Sequence, residues 1–360
     1  MPRETCAPKT KIPNDYIMDL GMKSKAQTKP KNRVGLDIGN GSIKMVELSN
    51  VGGKFSLVGF GSKKIESARR EDIIDAIKAL TSQARISAKD ASVSVSGPSV
   101  IVRFITVPKM SEEDLKGAIR FEAEKFIPFN INDCIVDFQT LKKDKTASKL
   151  DILLVASKKE PVWEKVKLAE GAGFSVSMVD VDSFALANSF SMNFPAAASS
   201  EKDKTVALLN IGTNFTNFSI LTGPAISFVR DVAIGGNELN AAISKMLGVT
   251  VREAEELKLS PGDKAQEVTS CIKTVLGNLL DEVKLSFSYH ENQKGRGVDE
   301  VYISGGGSEL ANLEAVFAEA LGSKLIFWDP FKFLDTKIAD PSVLDKTKGQ
   351  FAVALGLALR

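Results

Sequence analysis

Histidine, cysteine and tryptophan are scarce in this sequence of 360 residues, which contains one, three and two of them respectively. The single histidine, His290, is remote from every cysteine, so neither a Cys/His zinc site nor a histidine-dependent catalytic triad is expected. Cys6, Cys134 and Cys271 are odd in number, widely spaced and without a CxxC pair, which excludes a disulfide framework. So few cysteines are typical of a protein from a reducing cytosol.

Long hydrophobic runs and an excess of one charge are also missing. The longest apolar runs, such as residues 152–156, fall far short of the roughly 18 residues that a membrane span needs. The N-terminus lacks the apolar core of a signal peptide. The 47 Lys and Arg residues nearly balance 45 Asp and Glu residues, so a nucleic-acid binder is not expected. We expect a cytoplasmic protein without a membrane span, which reaches a membrane only through a partner or a surface.

The composition is otherwise that of a globular protein, with 43% hydrophobic and 26% charged residues. At about 150 residues per domain, the length predicts two or three domains. Residues 1–32 differ, because they are rich in Pro, Lys, Thr and Ser and carry seven basic against three acidic side chains. We predict a disordered basic tail there. It is either a simple flexible leader or a segment that binds anionic lipid weakly by electrostatic attraction.

Strands and helices alternate through the rest of the chain, and pairs of strands precede the helices in each half. This order predicts an α/β protein with mixed sheets and helices on their faces, in two lobes. Strand pairs at 33–48 and 206–221 open the two halves, and the polar stretch 195–204 is the best linker. Between the strand pairs, residues 98–177 predict strand–helix–strand–strand–helix, a small α+β module.

The two strand pairs carry the strongest internal signal. Asp37-Ile38-Gly39 and Asn210-Ile211-Gly212 each end a hydrophobic strand and precede small polar residues. Glycine with Ser or Thr at such a turn leaves backbone N–H groups free to face an anion. Two such turns from two lobes could grip a polyphosphate from opposite sides, although either could be an ordinary β-turn. Neither a GxxxxGK[ST] loop nor a GxGxxG sequence occurs.

A third glycine-rich element follows in the second half. A strand at 301–304 leads into Gly305-Gly306-Gly307-Ser308, where the backbone can approach a ligand closely. In this order the three elements resemble the nucleotide site of the actin, heat-shock chaperone and sugar-kinase superfamily, and 181–187 and 352–358 resemble its two connecting helices. The resemblance implies a two-lobed actin-like ATPase fold with RNase H-like lobes that binds ATP and Mg²⁺.

The module at 98–177 indicates which members of this superfamily the sequence resembles most, because the cell-division actin FtsA carries an extra subdomain at that place. The sequence is more similar still to the type IV pilus assembly protein PilM family, in the stretches 122–129, 136–139, 228–231, 234–239 and 329–331. The similarity covers residues 33–360. It implies a first lobe at 33–97, the inserted subdomain at 98–177, a connecting helix within 178–197, a second lobe at 198–345 and a C-terminal helix at 346–360 that returns to the first lobe.

The resemblance also assigns roles to residues around the cleft between the lobes. Asp37 would hold Mg²⁺ through its water shell, and Lys44 would neutralise phosphate charge. Glu255 and Lys258 stand where relatives contact ribose and adenine, unless they form a solvated i,i+3 pair on a helix. The remaining nucleotide contacts would come from the two hairpins and the glycine-rich turn: Gly39, Asn40, Gly41, Ser42, Gly212, Thr213, Thr216, Gly305, Gly306 and Gly307.

Two departures from ATP-hydrolysing relatives bear on activity. Asn210 stands where those relatives usually have Asp, and a neutral amide neither accepts a proton from water nor balances Mg²⁺ well. Asp182 stands where they place a polar residue that orients the attacking water, although it could simply be the N-cap of the following helix. We take both as candidate catalytic residues of, at most, a slow ATPase.

The resemblance to the PilM family also implies a partner, the cytoplasmic tail of a PilN-like inner-membrane protein, and a location beside that membrane. The tail would lie extended between the first lobe and the module, in pockets formed by four residues unless these belong to the core: Phe121, Phe126, Phe129 and Ile131. Pilus motor ATPases are further candidate partners. Two alternative functions stay open, a filament-forming FtsA-like actin and a small-molecule kinase of the same superfamily.

Overall fold

The structure is a computed structural model that describes residues 31–141, 148–194, 204–310, 313–321, 324–336 and 347–360. Most of the predicted tail, residues 1–30, and most of the predicted linker, residues 195–203, lie outside this described part. The first strand begins at Lys31, so it includes the last two residues of the predicted tail, 31 and 32. Among the described residues, no helix combines the length and the apolar character that crossing a membrane requires.

The elements alternate as the sequence predicts. The strands are β1 (Lys31–Ile38), β2 (Ser42–Val51), β3 (Lys54–Lys64), β4 (Asp90–Val95), β5 (Val100–Pro108), β6 (Cys134–Thr140), β7 (Lys149–Lys158), β8 (Ser175–Val181), β9 (Thr205–Ile211), β10 (Thr216–Thr222), β11 (Ala225–Val232), β12 (Glu300–Ser304), β13 (Lys324–Phe327) and β14 (Asp335–Thr336). The helices are α1 (Arg70–Gln83), α2 (Glu112–Glu124), α3 (Lys159–Gly171), α4 (Asp182–Asn193), α5 (Gly236–Leu247), α6 (Val251–Leu259), α7 (Ala265–Lys294), α8 (Leu313–Leu321) and α9 (Ala352–Ala358).

The first lobe is built on a six-stranded sheet in the order β14-β3-β2-β1-β4-β8. The strands β1, β2 and β3 are antiparallel, whereas β4 and β8 run parallel to β1. Because successive side chains of a strand point to opposite faces, Met45 enters the core under α1 and α3 while Val46 enters the core beside α9. Both faces of this sheet are therefore covered by helices.

The second lobe repeats this plan with five strands in the order β11-β10-β9-β12-β13. Alternate residues of β9 divide between two cores, with Leu209 facing the long helix α7 and Leu208 facing α4. The single histidine, His290, is buried near the end of α7, where its ring lies 3.0 Å from the Ser227 hydroxyl. It therefore belongs to the core of this lobe.

Helices α4 and α9 pack against each other at the centre of the molecule. Glycines make the close approach possible, since a Cβ on Gly356 would lie 1.7 Å from the Ala185 carbonyl oxygen. On its other side α9 meets β1, where a Cβ on Gly35 would lie 1.8 Å from the Ala354 carbonyl oxygen. The two connecting helices join the lobes through direct backbone contact.

The inserted module is a three-stranded sheet in the order β5-β7-β6, covered on one face by α2. It ends at Lys158, so the predicted boundary at residue 177 was too late. The helix α3 and the strand β8 belong to the first lobe, because β8 pairs with β4 and α3 contributes Val166 and Ala169 to the first-lobe core. A parallel strand needs a crossover helix to reach its neighbour, and α3 supplies it.

Candidate functional site

The turn between β1 and β2 places a charged pair at the mouth of the cleft. Asp37 and Lys44 are cross-strand neighbours, and Lys44 Nζ lies 3.3 Å from Asp37 Oδ2. The Gly39 N–H donates to the Ser42 carbonyl at 3.0 Å and closes the turn. Lys165, which sequence reasoning missed, reaches over from α3 and donates to the Ile38 carbonyl. Two ammonium groups and one carboxylate therefore surround this turn.

The turn between β9 and β10 is held by the start of α5. The N–H groups of Gly236 and Asn237 donate to the carbonyls of Gly212 and Thr213, at 2.9 and 2.8 Å. The Gly212 N–H closes the turn by donating to the Phe215 carbonyl at 2.9 Å. Thr216, expected to contact phosphate, is instead fully buried and donates its hydroxyl to the Ile234 carbonyl. It stabilises the lobe and does not face the cleft.

The two turns touch each other across the cleft. A Cβ on Gly41 would lie 2.4 Å from Thr213 Oγ1 and 3.1 Å from Thr213 Cγ2, so a larger residue at position 41 would displace the Thr213 side chain. The N–H groups of Asn40, Gly41 and Thr213 are not used in closing either turn. The sequence prediction that the hairpins of the two lobes face each other agrees with this geometry.

The glycine-rich turn after β12 packs against the second hairpin. Gly305 has a φ of +85°, and a Cβ there would lie 2.5 Å from the Ile211 carbonyl oxygen. A Cβ on Gly307 would lie 2.3 Å from Ile211 Cγ2, whereas one on Gly306 would meet no atom within 4 Å. Two of the three glycines are therefore required by packing on β9, and Gly306 borders open space.

Glu255 and Lys258 on α6 form a partly buried polar cluster with Asn240 on α5. Lys258 Nζ and Asn240 Nδ2 each donate to Glu255 Oε2 at 2.6 Å. Burial opposes ionisation of Glu255, but these hydrogen bonds hold its pKa below the usual range. Lys258 is buried, and its Nζ would lie 3.2 Å from a Cβ on Gly236. The two residues do form an i,i+3 pair, in which Lys258 is buried and the Glu255 side chain is 37% exposed. The pair lies beside the glycines that support the second turn.

Asp182 is the first residue of α4, and the N-cap position belongs to Val181, so the capping alternative for Asp182 is wrong. Its carboxylate accepts hydrogen bonds from Ser94 and Ser96 of the first lobe. Burial and the negative charge of Asp37 raise the pKa of Asp182 to about 6, against these hydrogen bonds. Within the described residues no three His, Cys, Asp or Glu side chains are arranged to hold a metal ion.

Asn210 belongs to a chain of side-chain hydrogen bonds that leads out of the cleft. Its Oδ1 accepts from the Ser304 hydroxyl at 3.3 Å, and its Nδ2 donates to Asn217 Oδ1 at 2.9 Å. Asn217 then donates to Asp231 Oδ1 at 2.8 Å, and Asp231 Oδ2 accepts from the Gly97 N–H at 2.6 Å. This chain connects the second hairpin to the residues that precede the module.

Asp231 and Asn217 were not predicted as site residues. Burial raises the pKa of Asp231, although its hydrogen bonds with Asn217 and Gly97 oppose the shift. Its one signal in the sequence is its position in the stretch 228–231, which resembles the PilM family. The bond to Gly97 joins residues 134 positions apart, so no local pattern could have predicted it.

The four aromatic and aliphatic residues expected to bind a partner separate into two groups. Phe121 and Phe126 on and after α2 are 74% and 41% exposed. Phe129 and Ile131 are partly buried and pack against the core of the module, with Lys158 Nζ 4.4 Å from the Phe129 ring centroid. The expectation that some belong to the core therefore applies to Phe129 and Ile131.

A cavity of about 270 Å³ lies where the module meets both lobes. Its walls are residues 100–103 of β5, residues 229–231 of β11, and Gly97, Pro98 and Val181 of the first lobe. In the described sheets β5 pairs with β7 alone and β11 pairs with β10 alone, so each strand turns an unpaired edge outward. The helix α2 covers the opposite face of the module, so its exposed phenylalanines do not line this cavity.

The structure has an actin-like ATPase fold, as predicted. Two lobes of like topology are joined by two central helices, and their hairpins meet across the cleft. The ethanolamine utilization protein EutJ from Carboxydothermus hydrogenoformans has the same fold, with a TM-score of 0.56 at 13% identity over 92% of this chain and 90% of that chain. The chain belongs to the type IV pilus assembly protein PilM family, whose model matches residues 35–360.

Two further similarities agree with this family. A solved PilM-PilN type IV pilus biogenesis complex contains a chain with a TM-score of 0.82 and 28% identity, matched over 91% of this chain and 98% of that chain. The cell division protein FtsA of Enterococcus hirae is 24% identical over 267 residues, which are 66% of this chain and 59% of FtsA. The match therefore spans less than two thirds of the FtsA chain.

Proposed function

We propose that the chain is an ATP-binding scaffold of type IV pilus assembly that holds the cytoplasmic tail of a PilN-like inner-membrane protein. The observation that carries the proposal is the contact of the two hairpins at Gly41 and Thr213, beside the Lys44–Asp37 pair. The chain would act in the cytoplasm, at the inner membrane through its partner.

The residues around the cleft fit Mg·ATP. The N–H groups of Asn40, Gly41 and Thr213 would donate to phosphate oxygens, since those of Gly39 and Gly212 are used to close the turns. Lys44 would supply a positive charge, and Asp37 would hold Mg²⁺ through water, since a hard cation prefers oxygen ligands. When bound, Mg²⁺ neutralises the negative charge of the phosphates.

The adenosine would lie toward Gly306, which borders open space, and toward the Glu255–Lys258 pair.

The residues of the site support at most slow hydrolysis of ATP. Both ends of the Asn210 amide are engaged in hydrogen bonds, and an amide cannot take a proton from water. Asp182 is the remaining candidate for orienting water, and its raised pKa shows an environment that disfavours its charged form. A scaffold that keeps its nucleotide agrees with this arrangement better than a fast ATPase.

The partner's tail would bind in the cavity between β5 and β11. Two unpaired strand edges form its opposite walls, and an extended peptide could pair with either edge by strand addition. The Arg103 guanidinium lies at the β5 wall of the cavity and donates to the Val102 carbonyl at 3.0 Å. Val100, Val229 and Phe215 give the cavity an apolar lining for alternate side chains of the peptide.

Two titrations test the proposal. Calorimetry with Mg·ATP is expected to give saturable one-to-one binding, which Lys44→Ala weakens and Lys116→Ala does not, because Lys116 lies exposed on α2. A labelled peptide from the N-terminal tail of a PilN-like protein is expected to bind the parent protein. Arg103→Glu should weaken peptide binding, and Lys116→Glu should not. Absence of binding of both ligands to the folded protein would refute the proposed function.

A further inference from the structure

Lys64, the last residue of β3, lies beside the first hairpin. It is the cross-strand neighbour of Ser42, with which β2 begins. The N–H of the next residue, Ile65, donates to the Gly41 carbonyl at 2.9 Å. The Lys64 side chain is exposed, and it forms no ion pair with a carboxylate of the described residues. An ammonium group without a fixed partner therefore stands next to the turn that touches Thr213.

Glu255 lies on the other side of the cleft and has one carboxylate oxygen without a hydrogen bond. Lys258 Nζ and Asn240 Nδ2 both donate to Oε2, each at 2.6 Å. No described residue donates to Oε1, and the Glu255 side chain is 37% exposed. Because an ionised carboxylate can accept about four hydrogen bonds, Glu255 retains the capacity for a further donor.

The two groups flank the same contact between the lobes. On the first lobe, Lys64 adjoins the turn whose Gly41 approaches Thr213. On the second lobe, Lys258 Nζ would lie 3.2 Å from a Cβ on Gly236, and that Cβ would lie 3.8 Å from Thr213 Cα. The contact at Thr213 therefore has Lys64 on one side and the Lys258–Glu255 pair on the other.

The charge of Lys64 acts on Glu255 although the two side chains do not form an ion pair. Burial opposes ionisation of Glu255, whereas the hydrogen bonds from Lys258 and Asn240 and the positive charges of Lys258 and Lys64 lower its pKa. Because a charge interaction weakens with distance, this effect agrees with a position of Lys64 near Glu255. An ion pair between these two residues would join the first lobe to the second.

We infer that Lys64 is a positioning residue of the nucleotide site, which pairs with the free oxygen of Glu255 when Mg·ATP holds the two hairpins together. This inference rests on the proposed function, because Mg·ATP is assigned to this cleft. An ion pair between exposed side chains contributes little by itself, so the pair is not expected to hold the lobes together without the nucleotide. Once the nucleotide orders both hairpins, the pair fixes the Glu255 carboxylate. Lys64 thus acts on the nucleotide through Glu255 and not by touching it.

The test is calorimetric titration of Mg·ATP into the 360-residue protein and its variants. Lys64→Ala is expected to weaken binding about two- to fivefold, which is the effect of losing an exposed ion pair. Lys64→Arg keeps the charge and should bind ATP like the parent. Lys63→Ala is the matched control and should leave the affinity unchanged, because Lys63 is an exposed lysine of the same strand whose side chain points to the opposite face.

A double-mutant cycle with Glu255→Gln separates a positioning residue from a direct contact. In the Glu255→Gln protein, Lys64→Ala should cause no further loss of affinity. An equal loss in both backgrounds would overturn the inference, because Lys64 would then contact the nucleotide itself. Equal affinities of the Lys64→Ala protein and the parent would also overturn it, and the proposed function would stand if Lys44→Ala still weakens binding. Absence of Mg·ATP binding to the folded parent would reject both proposals.

Discussion

Replacing Asp182 by asparagine is expected to stabilise the nucleotide-free protein in a manner that depends on pH. Burial and the nearby Asp37 carboxylate raise the pKa of Asp182 to about 6, compared with about 3.9 for a free aspartate. Folding therefore favours the protonated form of this carboxyl. Well below pH 4 this carboxyl is neutral in both folded and unfolded states and has no cost, whereas its ionisation costs stability increasingly as the pH rises through 4 to 6.

The magnitude follows from the difference of about two pKa units, each of which is worth about 1.4 kcal/mol. The Asp182→Asn protein is expected to unfold with a free energy about 2–3 kcal/mol higher than the parent at pH 8 and about half that difference at pH 5. Near pH 4 the two proteins should be almost equal. Ser94 and Ser96 can still donate to the amide oxygen, so the substitution leaves neither hydroxyl without a hydrogen-bond acceptor.

Urea unfolding of the nucleotide-free proteins, followed at several pH values, measures this difference. Asp281→Asn is the matched control, because Asp281 is exposed on α7. A gain from Asp182→Asn that is the same at pH 4 and pH 8 would show that the gain does not come from ionisation of this carboxyl. A loss of stability at pH 8 would refute the reasoning, because it would mean that the charged form is favoured.

Four further predictions concern the cleft. Lys44→Ala should weaken ATP binding about 10- to 150-fold by calorimetry, because a charge-assisted contact contributes about 1.5–3 kcal/mol. Gly41→Ala should weaken it about 5- to 150-fold, because its Cβ would lie 2.4 Å from Thr213 Oγ1 and overpacking costs about 1–3 kcal/mol. Phosphate release should stay well below about 1 s⁻¹. ATP should raise the affinity for the partner peptide about 5- to 150-fold, and the peptide should raise the affinity for ATP by the same factor. Asp231→Asn should reduce this factor, because Asp231 connects the second hairpin to Gly97. Equal peptide affinities with and without ATP would make ATP a structural cofactor.

The elements that position the site could be predicted because their signals are local. A buried strand that ends in Asp37-Ile38-Gly39, and a second that ends in Asn210-Ile211-Gly212, indicate tight turns from composition alone. The parallel between them predicted two lobes with one plan, and the sheets have that plan. Gly305 has a positive φ and a Cβ there would lie 2.5 Å from the Ile211 carbonyl oxygen, which is a constraint that glycine meets, whereas a Cβ on Gly41 would displace the Thr213 side chain.

The remaining features depend on contacts between distant parts of the chain. The amphipathic pattern of α3 is the same whether it covers the module or the first sheet, so residue 177 was an equally good boundary from sequence. Thr216 was assigned to phosphate because it follows a turn, but its strand register buries it against Ile234. Lys165 and Asp231 reach the site over separations of 127 and 134 residues, which no periodicity encodes.

The contact between the two hairpins is proposed to form a nucleotide site, and calorimetric titration of Mg·ATP into the folded 360-residue protein tests this site without relying on the partner. We expect saturable binding of one nucleotide for each chain. Absence of binding to a protein shown to be folded and free of retained nucleotide would contradict the claim, because the hairpins would then only hold the lobes together.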